Sequence, residues 1–562
     1  MYTYRLLNIA PSNKVLKETL VEELGISGIL AQILINRGVD NLEAAERFLN
    51  SNIGHLLDPF LFSQMGKATQ IIRKALESRK RVMVFGDYDV DGITGLALLK
   101  TTLSNIGIET LYYLPHRIKE GYGLNKDILH IAKQRDIKLL ITVDCGINSH
   151  EQIKELINHN IDVIVTDHHE PIDVQLPPAS AIINPKLKDS GYSCPELAGV
   201  TVAYKLCQAI TGDLLLDDLD LVCLGTVADV VPLIGENRLI VKEGLSRISQ
   251  TKKLGLKALM DISGISGKNI NSTYISYILG PRLNASGRID TAEIALRLLM
   301  TKEPQEADEL ARIVDAHNRQ RQRIENKILE EAQDLVSRDI NFKEHKIIVL
   351  AKEGWHEGVL GIVASKLTER FYRPTILISL SDGLCKGSAR SIKRFHIFDA
   401  LLKCKDYLVS FGGHSHAAGL LISRDNVNTF KDRINSLAKE CLSFEDLFPV
   451  LEIDAELNLS DFNEEVIREL EVLEPFGAGN PPALFYTRGL KIKAQPQLLG
   501  RNTLKFWVTD GLVTYPAIGF GMGHLRDSLL DTYQLDLVYT PKIDNWETRE
   551  QIILEVKDIL FR

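Results

Sequence analysis

Asp87, Asp89 and Asp91 stand at alternate positions in GDYDVDG, directly after the apolar run Val82 to Phe85. Carboxylates this close repel one another unless a cation shares their oxygens. D-x-D-x-D-G opens an EF-hand calcium loop, but that loop needs a bidentate Glu at its twelfth position. Counted from Asp87 that position is Leu98, and a strand pattern rather than a helix precedes the motif. A second reading makes Asp89 the nucleophile of an aspartyl-phosphate phosphatase. A third is a catalytic metal site at the carboxyl end of a strand.

The third reading expects further ligands at the ends of neighbouring strands, where open α/β sheets bind their ligands. IKLLITVD ends in Asp144, IDVIVTDHH ends in Asp167, His168 and His169, and the apolar helix in CLGTVADVVPL stops at Asp229. An isolated Asp after a strand is commonly a cap or turn residue, and an isolated His is commonly structural. Three successive strand ends of this kind are hard to explain as separate caps. Two divalent cations about 3.5–4 Å apart can activate water and offset charge in phosphodiester hydrolysis. Oxygen-rich ligands with an imidazole suit Mn²⁺, with Mg²⁺ also accommodated. No Cys/His or Ser/His pairing suggests a side-chain nucleophile.

The elements that must carry these residues follow an α/β rhythm. From about residue 65, amphipathic helix patterns alternate with short apolar runs, RVMVF, IETLYYLP, IKLLITVD and IDVIVTDHH. Such alternation predicts a parallel sheet covered on both faces. Beyond about residue 235 the pattern turns helical, and EADELARIVDAHNRQRQRIENKILEEAQDLVSRD reads as one long helix joining two domains. A second, smaller α/β unit follows it. The strand-rich stretch from about residue 450, with TLKFWVT, YPAIGFG and YQLDLVYT, predicts a small β-barrel. The expected organisation is a helical segment 1–50, a catalytic α/β domain 51–235, a helical region and connector 236–340, a second α/β domain 341–445 and a barrel 446–562.

The chain of 562 residues carries a net charge of −8 with a pI near 6.0. Bulk charge gives no support for nucleic-acid binding, so local basic patches must decide it. No apolar run reaches the length of a membrane span, and the N-terminus lacks an apolar secretory core. Seven cysteines without a CxxC pair point to a reducing cytoplasm rather than a disulfide framework.

GDYDVDG, VDCG, TDHHE and GTVADVVPL, in this order, resemble the four motifs of the DHH phosphoesterase superfamily. GPRLNASGRID, WHEGVLGIVASKL, GGHSHAAG and EPFGAGNPPALF narrow the resemblance to its RecJ branch, over about residues 50–560. That branch implies a DHH domain, a DHH-associated domain and an OB-fold, and hydrolysis of single-stranded DNA from the 5′ end in repair and recombination. The family roles place one metal on Asp87, Asp89 and Asp144, and the other on Asp91, Asp144, His168 and Asp229. Phe85 stands where many DHH relatives have a His, and Asp87 takes that place. The resemblance implies that His169 sits at the scissile phosphate and that Asp167 orients a ligand. Arg282, Asn284, Arg288, Ser388, Arg390, Gly413 and His414 would grip the strand, in part from loops and turns, with Ser286, Gly287, Gly412, Lys393 and Arg394 beside them. Lys505, Phe506 and Trp507 are candidates for base contact. Single-strand-binding protein and a RecQ-like helicase are the implied partners of a monomeric enzyme. Two other readings are a DHH phosphodiesterase on short oligoribonucleotides or cyclic dinucleotides, and a non-catalytic single-strand-binding scaffold.

Overall fold

Five short apolar runs form the first sheet: β1 (Arg81–Gly86), β2 (Thr110–Tyr113), β3 (Ile137–Val143), β4 (Asp162–Thr166) and β5 (Ala181–Ile183). They are parallel throughout, in the order β2-β1-β3-β4-β5. The computed structural model describes residues 5–117, 119–172, 175–500, 502–544 and 550–562. Their contacts divide the chain into two compact units. One is Leu57–Val231 with Ile240–Pro449; the other is Arg5–Leu56 with Pro232–Leu239 and Val450–Arg562.

In the first unit, helix α1 (Val90–Asn105) leaves β1 and packs against β1, α2 (Gly199–Thr211) and α3 (Leu219–Ala228). α1 starts at Val90, where the side chain of Asp89 caps it. Two glycines permit the close packing. A Cβ at Gly95 would lie 2.6 Å from Val143 Cγ1, and one at Gly225 would lie 2.4 Å from Thr94 Oγ1. On the opposite face of the sheet, Met83, Phe85, Leu140 and Val165 meet Ile128, Ile153 and Leu156.

GPRLNASGRI forms helix α4 (Gly280–Ile289), with Pro281 in its first turn. The long helix is α5 (Pro304–Asp339), 36 residues. Its polarity is deceptive: Leu310, Val314, Ile328, Ala332 and Val336 form a buried stripe, and Asp315, Asn318, Arg321 and Glu325 are buried with polar partners. The second sheet has the order β9-β10-β8-β7-β6, from β6 (Ile348–Glu353), β7 (Thr375–Leu380), β8 (Leu384–Arg390), β9 (Leu408–Gly413) and β10 (Ala417–Ser423). Only β6 and β7 are parallel. Helix α6 (Leu360–Phe371) packs on β7 and β8.

The second unit is a five-stranded closed barrel, β11 (Phe485–Leu499), β12 (Thr503–Thr509), β13 (Thr514–Phe520), β14 (Gln534–Asp544) and β15 (Gln551–Phe561). The strands run in the order β11-β12-β13-β15-β14 and close through β14 onto β11. The N-terminal helices Lys14–Leu24, Gly28–Asn36 and Leu42–Asn50 share its core: Leu20, Leu30 and Ile33 belong to one cluster with Leu459, Phe462 and Phe485. Strand Leu6–Ile9 pairs with Val450–Ile453, and Arg37 bridges to Asp454 at 2.9 Å. Among the described residues, no helix is long and apolar enough to cross a membrane.

Candidate active site

The carboxyl ends of β1, β3 and β4, with the end of α3, converge on one point. The turn after β1 carries Asp87 and Asp89, and Asp91 stands in the first turn of α1; Asp144 follows β3; His168 and His169 follow β4; Asp229 caps the end of α3. Asp144 holds a left-handed backbone, φ +61°, although it is not glycine. Such strain in an L-residue is found where a site over-determines the chain.

Three ligand groupings result, each with donor atoms within 4.8 Å of one another: Asp87, Asp89 and Asp144; Asp91, His168 and Asp229; and Asp144, His168 and His169. Asp144 and His168 each belong to two of these groupings. Asp144 Oδ1 lies 3.1 Å from His168 Nε2, without hydrogen-bond geometry. Both atoms, and Asp87 Oδ1, are buried with no hydrogen-bond partner. Orphaned acceptors of this kind, aimed at a common point, fit divalent cations and nothing apolar.

Local backbone explains how each acid is held. Asp89 Oδ1 accepts from the Asp91 and Gly92 amides at 3.0 and 3.2 Å, as an N-cap. Asp91 accepts from the Gly199 and Val200 amides at 2.6 and 2.8 Å, the N-terminus of α2. A Cβ at Gly199 would lie 2.7 Å from Asp144 Cβ, so only glycine lets α2 approach. Asp167 is fully buried. It accepts from the amides of Ile147, His168 and His169 at 2.9, 2.8 and 3.1 Å and belongs to none of the ligand groupings.

Burial and mutual repulsion raise the carboxyls. Burial and then Asp91 push Asp144 well above the carboxylate range. Burial and then Asp89 do the same to Asp87. Burial and then Asp91 raise Asp229. Asp91 is pushed up to about 7 by burial and Asp89, against the Val200 and Gly199 amides. Burial and neighbouring His169 hold His168 down at about 3, so its imidazole is neutral and can ligate. His169 behaves oppositely. Burial opposes its charge, but Asp167, 2.8 Å from Nδ1, raises it to about 9. Tyr122 Oη donates to the Asp144 carbonyl at 3.1 Å and lies 3.0 Å from His169 Nδ1.

The cations expected to grip a strand separate into two classes. Burial, then Arg117 and Arg390, hold Arg288 below the usual guanidinium range, and burial, then Arg117, lowers Arg390. Arg288 Nη1 donates to the Gly358 carbonyl at 2.9 Å, and Arg117 lies over the Tyr88 ring at 4.7 Å. Like charges held together mark a place for an anion. Ser388 and Arg390 lie on β8, which ends at Arg390, beside Gly361 at the start of α6. Gly412 and Gly413 end β9. Gly413 has φ +145°, and a Cβ there would lie 2.3 Å from the Ala417 carbonyl oxygen. His414 is depressed by burial, His416 and Arg390.

Arg282 and Asn284 make contacts of another kind. Arg282 pairs with Asp315 of α5 at 3.0 Å, and Asn284 Oδ1 accepts from the Val90 amide at 3.2 Å. Lys393 and Arg394 are exposed beyond β8. In the barrel Phe506 is fully buried, whereas Lys505 and Trp507 face outward with Lys505 Nζ 5.2 Å from the indole. Arg117 and Tyr122 went unread in the sequence. They stand in a loop of irregular composition, and only their approach to Tyr88 and His169 reveals them.

The chain matches three family descriptions: the DHH family N-terminal domain over residues 81–226, the DHHA1 domain over 344–440 and the RecJ OB domain over 453–558. It is 38% identical to the single-stranded-DNA-specific exonuclease RecJ of Bacillus subtilis, covering 96% of this chain and 69% of that one. It is 33% identical to RecJ of Dickeya dadantii, covering 95% and 96%. The crystal structure of RecJ in complex with Mn²⁺ from Thermus thermophilus superposes with a TM-score of 0.85 at 29% identity, covering 99% of this chain and 79% of that one. The four strand-end motifs, the second α/β domain and the barrel are thus shared as a set, and this chain belongs to the RecJ family of single-stranded-DNA-specific exonucleases.

Proposed function

We propose that this RecJ-family chain degrades single-stranded DNA from its 5′ end, releasing mononucleotides, with Mn²⁺ or Mg²⁺ held by Asp87, Asp89, Asp91, Asp144, His168 and Asp229. The observation that carries this reading is the chain of three ligand groupings linked through Asp144 and His168, with unpartnered buried acceptors among them. When bound, two divalent cations supply an activated water and offset the charge developing on the phosphoryl oxygens.

The chain's own residues do the rest. Asp144 presents a carboxylate to two of the groupings. Asp167 holds His169 protonated, so that the imidazolium can donate to a non-bridging oxygen or to the leaving 3′ oxygen. Arg117, Arg288, Ser388, Arg390, Gly413 and His414 bind the phosphate of the strand end. Charge-assisted contacts to phosphate position a strand without reading its sequence. In the barrel, Lys505 and Trp507 offer a cation and an aromatic face to bases further along. A RecQ-like helicase would supply the single strand and single-strand-binding protein would accompany it in the cytoplasm, with the chain acting as a monomer.

The test is nuclease digestion with Mn²⁺ of single strands labelled separately at each end, beside Asp144→Ala. The expected result is immediate release of the 5′ label as mononucleotide, progressive shortening of the 3′-labelled strand and an inert variant. Survival of long strands while short oligoribonucleotides disappear would transfer the site to oligonucleotide hydrolysis. Binding without cleavage would leave a scaffold.

A further inference from the structure

Helix α4 carries Arg282, Asn284 and Arg288, and these side chains engage three different elements of the same unit. Arg282 reaches Asp315 of α5 at 3.0 Å. Arg288 reaches the Gly358 carbonyl, ahead of α6, at 2.9 Å. Asn284 reaches back to the acid-bearing turn, where its Oδ1 accepts from Val90 N at 3.2 Å.

That amide is the first of α1, and the opening amides of a helix have no partner within the helix. Asp89 Oδ1 takes those of Asp91 and Gly92. Asn284 supplies an acceptor for the one Asp89 leaves. Three residues along the same helix, Gly287 abuts the other spacer of the turn: a Cβ there would lie 3.2 Å from the Tyr88 carbonyl oxygen. Tyr88 and Val90 are the two residues that separate Asp87, Asp89 and Asp91. α4 thus touches the turn at both places that set the spacing of the carboxylates.

We infer that Asn284 is a positioning residue for cation binding: it fixes the Tyr88–Val90 turn so that Asp87, Asp89 and Asp91 converge, instead of serving as a contact to the nucleotide. The inference rests on the metal centre proposed above. Without the acceptor, the Val90 amide turns toward water and the three carboxylates lose their common orientation. Partners that orient metal ligands typically change affinity by about 10–100-fold.

The full chain and three variants decide it. Asn284→Ala removes the acceptor, Asn284→Asp keeps an oxygen in its place, and Gly287→Ala presses a methyl onto the Tyr88 carbonyl. Mn²⁺ binding is read without DNA, from the paramagnetic resonance signal of the free ion. Binding of a fluorescent single strand is read separately in chelator, and thermal melting reports folding. Asn284→Ala is expected to weaken Mn²⁺ by about tenfold or more, with strand binding in chelator within about twofold of the parent. Gly287→Ala is expected to weaken Mn²⁺ in the same direction, and Asn284→Asp to retain most of the parental affinity. Parental Mn²⁺ affinity in Asn284→Ala, or loss in Asn284→Asp equal to that in Asn284→Ala, overturns the inference. So does a fall in strand binding with Mn²⁺ affinity intact, which would make Asn284 a strand contact. Should Asn284→Ala not fold, unchanged affinity in Gly287→Ala overturns it. A parent chain that binds no Mn²⁺ sinks the metal centre itself, an outcome distinct from all of these.

Discussion

Asp144 concentrates the residue-scale argument. Its Oδ1 is buried and unpartnered, its backbone is strained, and it belongs to two of the three ligand groupings. Asp144→Asn keeps the shape but removes the acceptor charge. We expect mononucleotide release to fall by more than about a hundredfold, with melting in chelator unchanged or raised, since one member of a repelling cluster is gone. Titration gives a second expectation. Asp91 stands at about 7 without cations, and Asp87, Asp144 and Asp229 are raised as well. Raised carboxyls hold protons that a cation must displace. Apparent Mn²⁺ affinity should therefore fall as pH drops through about 7. Mn²⁺ titrations monitored by calorimetry across that range check the sign; an affinity that rises on acidification refutes it.

At the scale of elements, glycines decide how closely the helices bring the acids together. Gly225 lies on α3 against α1: its Cβ would meet Thr94 Oγ1 at 2.4 Å and Asp91 Oδ1 at 3.1 Å. α3 ends at Asp229, so pushing the helix outward withdraws that ligand from Asp91 and His168. Gly225→Val should cost about 1–3 kcal/mol of stability by overpacking, read by denaturant unfolding. It should also weaken Mn²⁺ binding more than strand binding in chelator. Equal losses in both would mean that α3 supports the whole unit and not the ligand alone.

For the whole molecule, the partition of the chain makes an unexpected demand. The N-terminal helices and the barrel share one core, Leu20, Leu30 and Ile33 with Leu459, Phe462 and Phe485. Removing residues 450–562 alone leaves those leucines and isoleucines without their apolar partners. Each large side chain so exposed forfeits about 1.5–3 kcal/mol of burial. That truncation should aggregate, whereas removing residues 1–56 together with 450–562 should recover soluble protein. Size-exclusion chromatography of both truncations tells them apart, and a soluble single truncation would contradict the shared core.

The α/β rhythm, the long helix, the barrel and the acids at the strand ends were all legible in the order of residues. Periodicity and strand-end placement are local properties, and Asp87, Asp144, His168 and Asp229 each follow an apolar element that had to be buried. What a side chain faces is not local. Asn284 and Arg282 share a motif with Arg288, yet the helical turn of α4 sends them to Val90 and Asp315. Phe506 and Trp507 are neighbours in sequence, and the alternation of β12 puts one in the core and the other outside. Arg117 joins Arg288 and Arg390 from a loop with no periodic pattern to betray it. Residues distant in sequence can approach only after the sheet and helices have packed. Which cations gather together and which pair with acids of the fold was therefore decided by tertiary packing.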